Sequence, residues 1–491
     1  MKRVTECRSA AWIGAPLGLG ACLWLCACVG PNFHRPAPPQ VDRYTTEALP
    51  PETASAKGPG GAAQRFLAED DVPRDWWTRF GSEELDALVA EALRANPSVH
   101  AAAAALRQAQ ENTAAQRGSY YPAVQAGFDA TRQRNAVGVL APSLASGTAL
   151  YNLYTPQVTV SYVPDVFGGN RRQVESLAAL AEASQYQLDA TYLTLTANVV
   201  TTAIEEAGLR AEISATERVI ALERDSLGVL RRELELGAVA EGDVYAQEAA
   251  LAQLETTLPP LHRQLQTARD ALAALTGRLP ADYTPLRFEL DQLVLPQDLP
   301  LGVPSQLVER RPDVRAAEAQ LHAATAQVGV AIANLLPQVT ITGDVGSSAT
   351  AMGDLFKAGT GFWSVGASLT QTLFEGGTLI HRKRAADAAL DQAGALYRSA
   401  VLTAFQNVAD ALHALAADAD TLAAASRAEE AAQKSLDVVR HQLELGSVSY
   451  LALINAEQSY QQALISLTQA RANRYADTAA LFQALGGSIA H

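Results

Sequence analysis

Asn96-Pro97-Ser98-Val99-His100-Ala101-Ala102 and Arg311-Pro312-Asp313-Val314-Arg315-Ala316-Ala317 are two copies of one stretch, set 215 residues apart. Another proline follows each of the first by 25 residues, at Pro122 and Pro337, so the spacing holds across the segment. Further along, Phe167-Gly168-Gly169-Asn170 is echoed by Phe374-Glu375-Gly376-Gly377-Thr378 at an offset near 208. Leu234-Glu235-Leu236-Gly237-Ala238-Val239 then returns as Leu443-Glu444-Leu445-Gly446-Ser447-Val448 at an offset of 209. Three blocks in one order at almost constant spacing mean a duplicated unit of about 210 residues.

Within each unit the period of the apolar residues changes. After Pro122 it is two: Val124, Ala126 and Phe128 stand on one side, and Gln125, Gly127 and Asp129 on the other. The alternation resumes with Val158, Val160 and Tyr162 against Gln157, Thr159 and Ser161. In the second unit Val339, Ile341 and Val345 oppose Gln338, Thr340, Thr342 and Asp344, and Trp363, Val365, Ala367 and Leu369 oppose Ser364, Gly366, Ser368 and Thr370. Runs of about a dozen residues are long enough to cross an outer membrane as tilted strands. After the N-terminal segment no apolar run is long enough for a membrane helix.

The period then becomes helical. Leu188, Tyr192, Leu195 and Val199 begin one seam, and Val401, Phe405, Val408, Leu412, Leu415, Ala419 and Leu422 hold the second without a break. Such spacing is that of a coiled coil. A helix over roughly 170–236 is on the order of 100 Å long at the helical rise. Gly237 and Gly446 follow the two runs as left-handed stops, from which the chain turns back into a second antiparallel helix. Thr202, Glu206 and Thr216 interrupt the first seam, which predicts a solvated or partner-facing register there.

The N-terminus has a different character. Lys2, Arg3 and Arg8 precede an apolar run from Ala10 to Ala27, the pattern of an export signal. Leu25-Cys26-Ala27-Cys28 has the form of a lipobox, so residues 1–27 are expected to be removed and Cys28 to carry a covalent N-acyl diglyceride lipid. Val29 follows that cysteine where an aspartate would favour inner-membrane retention, which predicts sorting to the outer membrane. Residues 28–73, rich in Pro, Gly and Ala, read as an extended tether lying on the folded body. The first repeat is then 74–295, with a strand hairpin at about 121–166 and a helical hairpin at about 170–277; the second is 296–491, with its hairpins at about 337–375 and 378–485.

Composition removes other classes. All four cysteines lie within the first 28 residues, so the body has no disulfide, zinc-cysteine site or thiol nucleophile. A net charge of -14 argues against nucleic acid as a partner. The eight histidines are scattered, with no His-Glu-x-x-His spacing, serine nucleophile elbow or phosphate-binding loop, so neither an enzyme nor a metal or nucleotide cofactor is expected. Four strands cannot close a barrel, and open edges in hydrocarbon are forbidden. Two copies would fill their own lumen, whereas three leave a passage. The expected fold is mainly α with membrane β: a trimeric conduit with a polar lumen, continued by long helical hairpins. A lipid-anchored coiled-coil protein without conductance, or a duct for protein secretion, are the competing readings.

Leu301-Gly302-Val303-Pro304-Ser305-Gln306-Leu307-Val308-Glu309-Arg310-Arg311-Pro312-Asp313-Val314-Arg315-Ala316-Ala317-Glu318 resembles the signature of outer-membrane efflux lipoproteins of the OprM/NodT type, relatives of TolC. Val29-Gly30-Pro31-Asn32-Phe33, Asp75-Trp76-Trp77 and Asn96-Pro97 extend the resemblance over essentially the whole mature chain. It implies a homotrimer with a twelve-stranded barrel and a periplasmic α-barrel. It also implies two partners, a periplasmic adaptor and an inner-membrane resistance-nodulation-division pump, the whole serving efflux of drugs or other small molecules. By the same resemblance the adaptor-facing tips are Gly237, Ala238 and Val239 with Gly446, Ser447 and Val448. The aperture leucine and aspartate of the family fall on Leu451 and Asn455, so here an amide stands for the acid. Three amides carry no mutual repulsion, which predicts weak pH and cation sensitivity at that ring and moves acidic control to Glu241 or Asp243.

Overall fold

The computed structural model describes residues 29–67, 72–134 and 150–486. In chain order its elements are β1 (Arg65–Leu67), α1 (Glu83–Ala95), α2 (Pro97–Arg117), β2 (Ala123–Arg134), β3 (Leu150–Tyr162), α3 (Gly169–Glu235), α4 (Glu241–Glu255) and α5 (Leu258–Leu275). Then follow β4 (Asp298–Pro300), α6 (Pro304–Arg310), α7 (Pro312–Ala333), β5 (Gln338–Ser347), β6 (Gly361–Thr370), α8 (Thr378–Glu444) and α9 (Tyr450–Leu485). Two compact units arise, each drawing on both repeats: Met1–Arg35, Gln108–Ala181 and Ala319–Ala395 in the first, Pro36–Arg107, Glu182–Glu318 and Leu396–His491 in the second.

The first unit holds an antiparallel sheet in the order β2-β3-β5-β6. Its register aligns the polar alternation of all four strands: Gln125 pairs with Thr159, Thr159 with Asp344, and Asp344 with Ser364. The Asp344 carboxylate accepts hydrogen bonds from Thr159 Oγ1 at 2.7 Å and Ser364 Oγ at 3.1 Å. Because side chains alternate along a strand, the opposite face gathers Val124, Phe128, Trp363, Val365 and Leu369, all exposed. Among the described residues nothing covers that apolar face, and β2 and β6 are left as edge strands of the sheet. Immediately after the sheet, the Asp165 carboxylate accepts the backbone N–H groups of Asn170 at 2.9 Å and Arg171 at 2.8 Å, which starts α3. None of the helices among the described residues is long and apolar enough to cross a membrane.

The second unit is helical. Val401, Val408, Leu412, Leu415, Ala419 and Leu422 of the seam read from the sequence are buried along α8, whereas Phe405 is half-buried and the neighbouring Ala404 is buried in its place. The corresponding seam of α3 corrects the sequence reading. Thr202 is half-buried, Thr216 is fully buried, and Glu206 is buried and ion-paired to Arg269 at 3.0 Å, with Tyr283 donating its hydroxyl at 2.8 Å. The arms returning from the two turns also differ. α9 is continuous, whereas the first return is split into α4 and α5 at Thr256 and Thr257. Pro259 and Pro260 follow, lacking the N–H that a continuous helix requires, and are tolerated only in the first turn of α5.

The N-terminal segment is more than a tether. β1 pairs in parallel with β4, and fully buried Arg474 donates to Thr53 Oγ1 at 3.0 Å and to the Ala62 carbonyl at 2.7 Å. Gln64, also fully buried, donates to the Pro296 carbonyl at 2.9 Å and to Thr478 Oγ1 at 3.0 Å. Beside it Trp76 stacks on Phe482, with ring centroids 5.4 Å apart, and Phe80 closes the cluster.

Candidate conduit and aperture residues

Each helix-to-helix turn is closed by the same backbone device. Gly237 adopts φ 72° and Gly446 φ 69°, the left-handed region where an added side chain is strained. Ala238 N–H reaches the Glu233 carbonyl at 2.8 Å and Gly237 N–H the Leu234 carbonyl at 2.9 Å; Ser447 to Gln442 and Gly446 to Leu443 repeat the pattern, each at 2.9 Å. This paired satisfaction of the last carbonyls is a Schellman motif. It leaves Leu236, Ala238, Leu445 and Ser447 exposed at the tips, while Val239 and Val448 are half-buried, Val239 against the hydrophobic cluster below.

Leu451 and Asn455 lie one turn apart on the exposed face of α9, and their neighbours Leu453, Ile454, Ala456 and Glu457 are buried. Asn455 is thus exposed, not buried against a helix of the described chain. Glu241 and Asp243 are already engaged on the first return arm. Asp243 accepts the Ala240 N–H at 3.3 Å and caps α4, and Glu241 accepts the Tyr245 hydroxyl at 2.7 Å.

Just behind the turns the two hairpins share one apolar cluster, built from Val219, Ile220, Leu227 and Leu230 of α3, Val244, Leu251 and Leu254 of α4, Leu436 of α8, and Tyr450, Leu453 and Ala456 of α9. Embedded there are polar groups that the sequence reading did not single out. Glu223 of α3, Gln247 of α4 and Glu457 of α9 are buried to within a few per cent, at 3%, 0% and 3% exposure. Gln247 donates its amide to the Glu223 carboxylate, and Arg440 donates to Glu457 at 3.2 Å. Burial, followed by the charge of Glu457, pushes the Glu223 carboxyl up to about 7, with the Gln247 hydrogen bond and Arg440 pulling the other way. A signal for part of this was present in the sequence. The 209-residue offset that aligns the turns also maps Arg231 onto Arg440 and Glu248 onto Glu457.

Val29 N–H reaches the Phe167 carbonyl at 3.4 Å, Arg172 donates to Asn32 Oδ1 at 2.6 Å, and Phe33 stacks on His322 with centroids 4.4 Å apart. The chain emerging at Val29 is thus held against α3 and α7. Cys28 itself lies outside the described residues.

A four-stranded sheet with one wet and one apolar face, two long helical hairpins with tight tips, and an internal duplication define a TolC-like fold. The chain matches the family model described as "Outer membrane efflux protein" over residues 88–278 and 303–487, and it belongs to that family. It is 30% identical over 481 residues to outer membrane protein OprJ of Pseudomonas aeruginosa, covering 96% of this chain and 94% of that one. To the pyoverdine export outer membrane protein OpmQ of the same species it is 29% identical over 432 residues, 87% of this chain and 89% of that one. The solved outer-membrane channel OprN superposes with a TM-score of 0.82 at 28% identity, covering 94% of this chain and 99% of that one. The protein is an outer-membrane efflux channel with a long periplasmic extension, the outer-membrane component of an efflux system.

Proposed function

We propose that three copies close their sheets edge to edge into a twelve-stranded barrel, anchored by lipid on Cys28, and act as the passive exit duct for small molecules. A periplasmic adaptor engages the tips around Gly237, Ala238, Val239, Gly446, Ser447 and Val448, and an inner-membrane resistance-nodulation-division pump supplies the energy. The observation that carries this reading is the sheet itself. Its edge strands β2 and β6 lack a partner on one side, and its polar row Gln125-Thr159-Asp344-Ser364 backs onto an exposed apolar face. Unpaired edges cost several kcal/mol per backbone group in hydrocarbon, so closure by further copies is the economical solution. With β2, β3, β5 and β6 all antiparallel to their neighbours, an added copy continues the alternation.

At the periplasmic end the copies of Leu451 and Asn455 form the aperture, an apolar ring followed by an amide ring. Residual acidic influence comes from Glu241 and Asp243. Single-channel conductance of the lipidated protein in planar bilayers tests both levels. Wild type is expected to conduct without divalent block, and Asn455→Asp to acquire a block by divalent cations, since three carboxylates around an axis attract them. Equal block in both proteins would remove the aperture assignment, and no conductance at all would remove the duct.

A further inference from the structure

Arg231 and Glu248 of the first hairpin form an ion pair at 2.7 Å, with side chains 59% and 38% exposed. Their repeat equivalents Arg440 and Glu457 form the same pair at 3.2 Å, yet Glu457 is only 3% exposed. Glu457 is buried beside Glu223 and Gln247 of the other hairpin, while Arg440 keeps 37% of its side chain exposed. Gln247 answers one oxygen of Glu223, and Arg440 one oxygen of Glu457. The remaining Glu457 oxygen, Oε2, is buried without a donor. A proton placed between the two carboxyls supplies one.

Glu457 also sits where it can act at a distance. It comes two residues after Asn455, about 200° further round the helix at 3.6 residues per turn. Whatever holds Glu457 against the other hairpin therefore fixes where Leu451 and Asn455 stand on the opposite face. We propose that Glu223, Gln247, Arg440 and Glu457 form a proton-dependent clamp between the two hairpins, which sets the rotation of α9 and so positions the aperture residues. This rests on the assignment of Leu451 and Asn455 to the aperture.

The titratable groups bearing on the clamp are few. Glu223 comes from α3 and Arg440 from α8, while α4 contributes only the neutral Gln247. On α9 itself burial, then the charges of Glu233 and Glu457, hold the Tyr450 phenol above its ordinary range, and burial with Glu429 raises Tyr460 against the opposing pull of Arg218 and Arg440. One arginine thus faces two acids. With one proton shared, the charges balance; with none, a net negative charge is left in an apolar cluster. Because the folded carboxyl titrates higher than an unfolded one, the clamp is complete below the ordinary glutamate range. It is lost as pH rises through about 7.

The test uses full-length protein carrying a spin label at Leu451→Cys, with distances between copies measured at about pH 6 and about pH 8.5, on either side of the transition. The distances should lengthen at the higher pH in the wild-type background. They should stay short in Glu457→Gln and in Glu223→Gln, because a glutamine keeps the shape and a hydrogen bond but cannot ionise. Glu248→Gln, the exposed counterpart, should lengthen as wild type does. Asp418 and Asp477 form another acid pair whose Asp418 is also pushed up to about 7, so the decisive readout is wild type against variant. Unchanged distances in wild type, equal lengthening in the Glu457→Gln and Glu223→Gln variants, or a response abolished by Glu248→Gln would each overturn the clamp. Planar-bilayer conductance should rise several-fold over the same interval in wild type and in Glu248→Gln, and stay level in Glu457→Gln and Glu223→Gln. Lengthening with no conductance at any pH would overturn the duct reading instead and leave the clamp standing.

Discussion

The two helical hairpins descend from one unit, and comparing them position by position separates what the repeat preserved from what it let diverge. Their long helices have equal length, at Gly169–Glu235 and Thr378–Glu444, and their turns use the same glycine and the same two backbone hydrogen bonds. Along the seams they differ. Thr202, Glu206 and Thr216 in the first correspond to Ala411, Leu415 and Ala425 in the second. Pro259 and Pro260, which split the first return arm, correspond to Thr468 and Gln469 in continuous α9. Gly242 and Ala246 stand where the second hairpin has Leu451 and Asn455. The first hairpin is tied by polar bonds to the segment that follows it, through Tyr283 to Glu206 and Arg210 to the Phe288 carbonyl. The second has a dry seam and carries Leu451 and Asn455, the proposed aperture residues. Duplication therefore conserved the scaffold, and the two copies diverged in the side chains they carry on it.

The seam comparison can be broken most forcefully at Glu206. Glu206→Ala leaves Arg269 and Tyr283 without their acceptor and is expected to cost about 3–5 kcal/mol, read from thermal or denaturant unfolding. Its counterpart Leu415→Ala should cost about 2–5 kcal/mol through a cavity. The double change Glu206→Leu with Arg269→Leu imports the chemistry of the second seam and should recover most of the loss. A double variant as unstable as Glu206→Ala would mean that the polar network does more than fill space.

A smaller effect separates the duplicated ion pairs. Arg440→Ala removes the cation paired with buried Glu457 and should cost on the order of 2 kcal/mol at neutral pH. Arg231→Ala, at an exposed pair, should cost under about 1 kcal/mol and lose even that in high salt. Equal losses would show that the burial of Glu457 has no energetic consequence.

The turns should show no difference at all. Gly237→Ala and Gly446→Ala each force a side chain into the left-handed region, with an expected penalty of about 1 kcal/mol apiece. An adaptor-binding measurement on the same variants then reports whether the two tips are equivalent in recognition as well as in geometry.

Much of this arrangement was legible from residues alone. The alternation after Pro122 and Pro337 located strands, the seam beginning at Val401 located a helix of great length, and Gly237 and Gly446 located its stops, because each depends on local backbone geometry. Other features were hidden for a physical reason. Glu206 looked like a solvated interruption because its partners, Arg269 and Tyr283, come from later segments. The split of the return arm depended on Pro259 and Pro260, two residues in a helix-rich stretch. The N-terminal segment read as an extended tether on the body, and its strand pairing and buried hydrogen bonds were hidden because its partners, Arg474, Thr478 and β4, are distant in sequence.

By itself, the sequence determined the duplication, the strand faces, the helix lengths and the turns, since periods of two and of about 3.5 residues are properties of strands and coiled helices wherever they sit. It also contained the Arg231 and Glu248 pair twice. Only the tertiary structure decided that one copy faces water and the other buries its Glu457 beside Glu223 and Gln247. Burial is a property of what distant segments pack on top, and a carboxyl's proton affinity follows its surroundings more than its place in the chain.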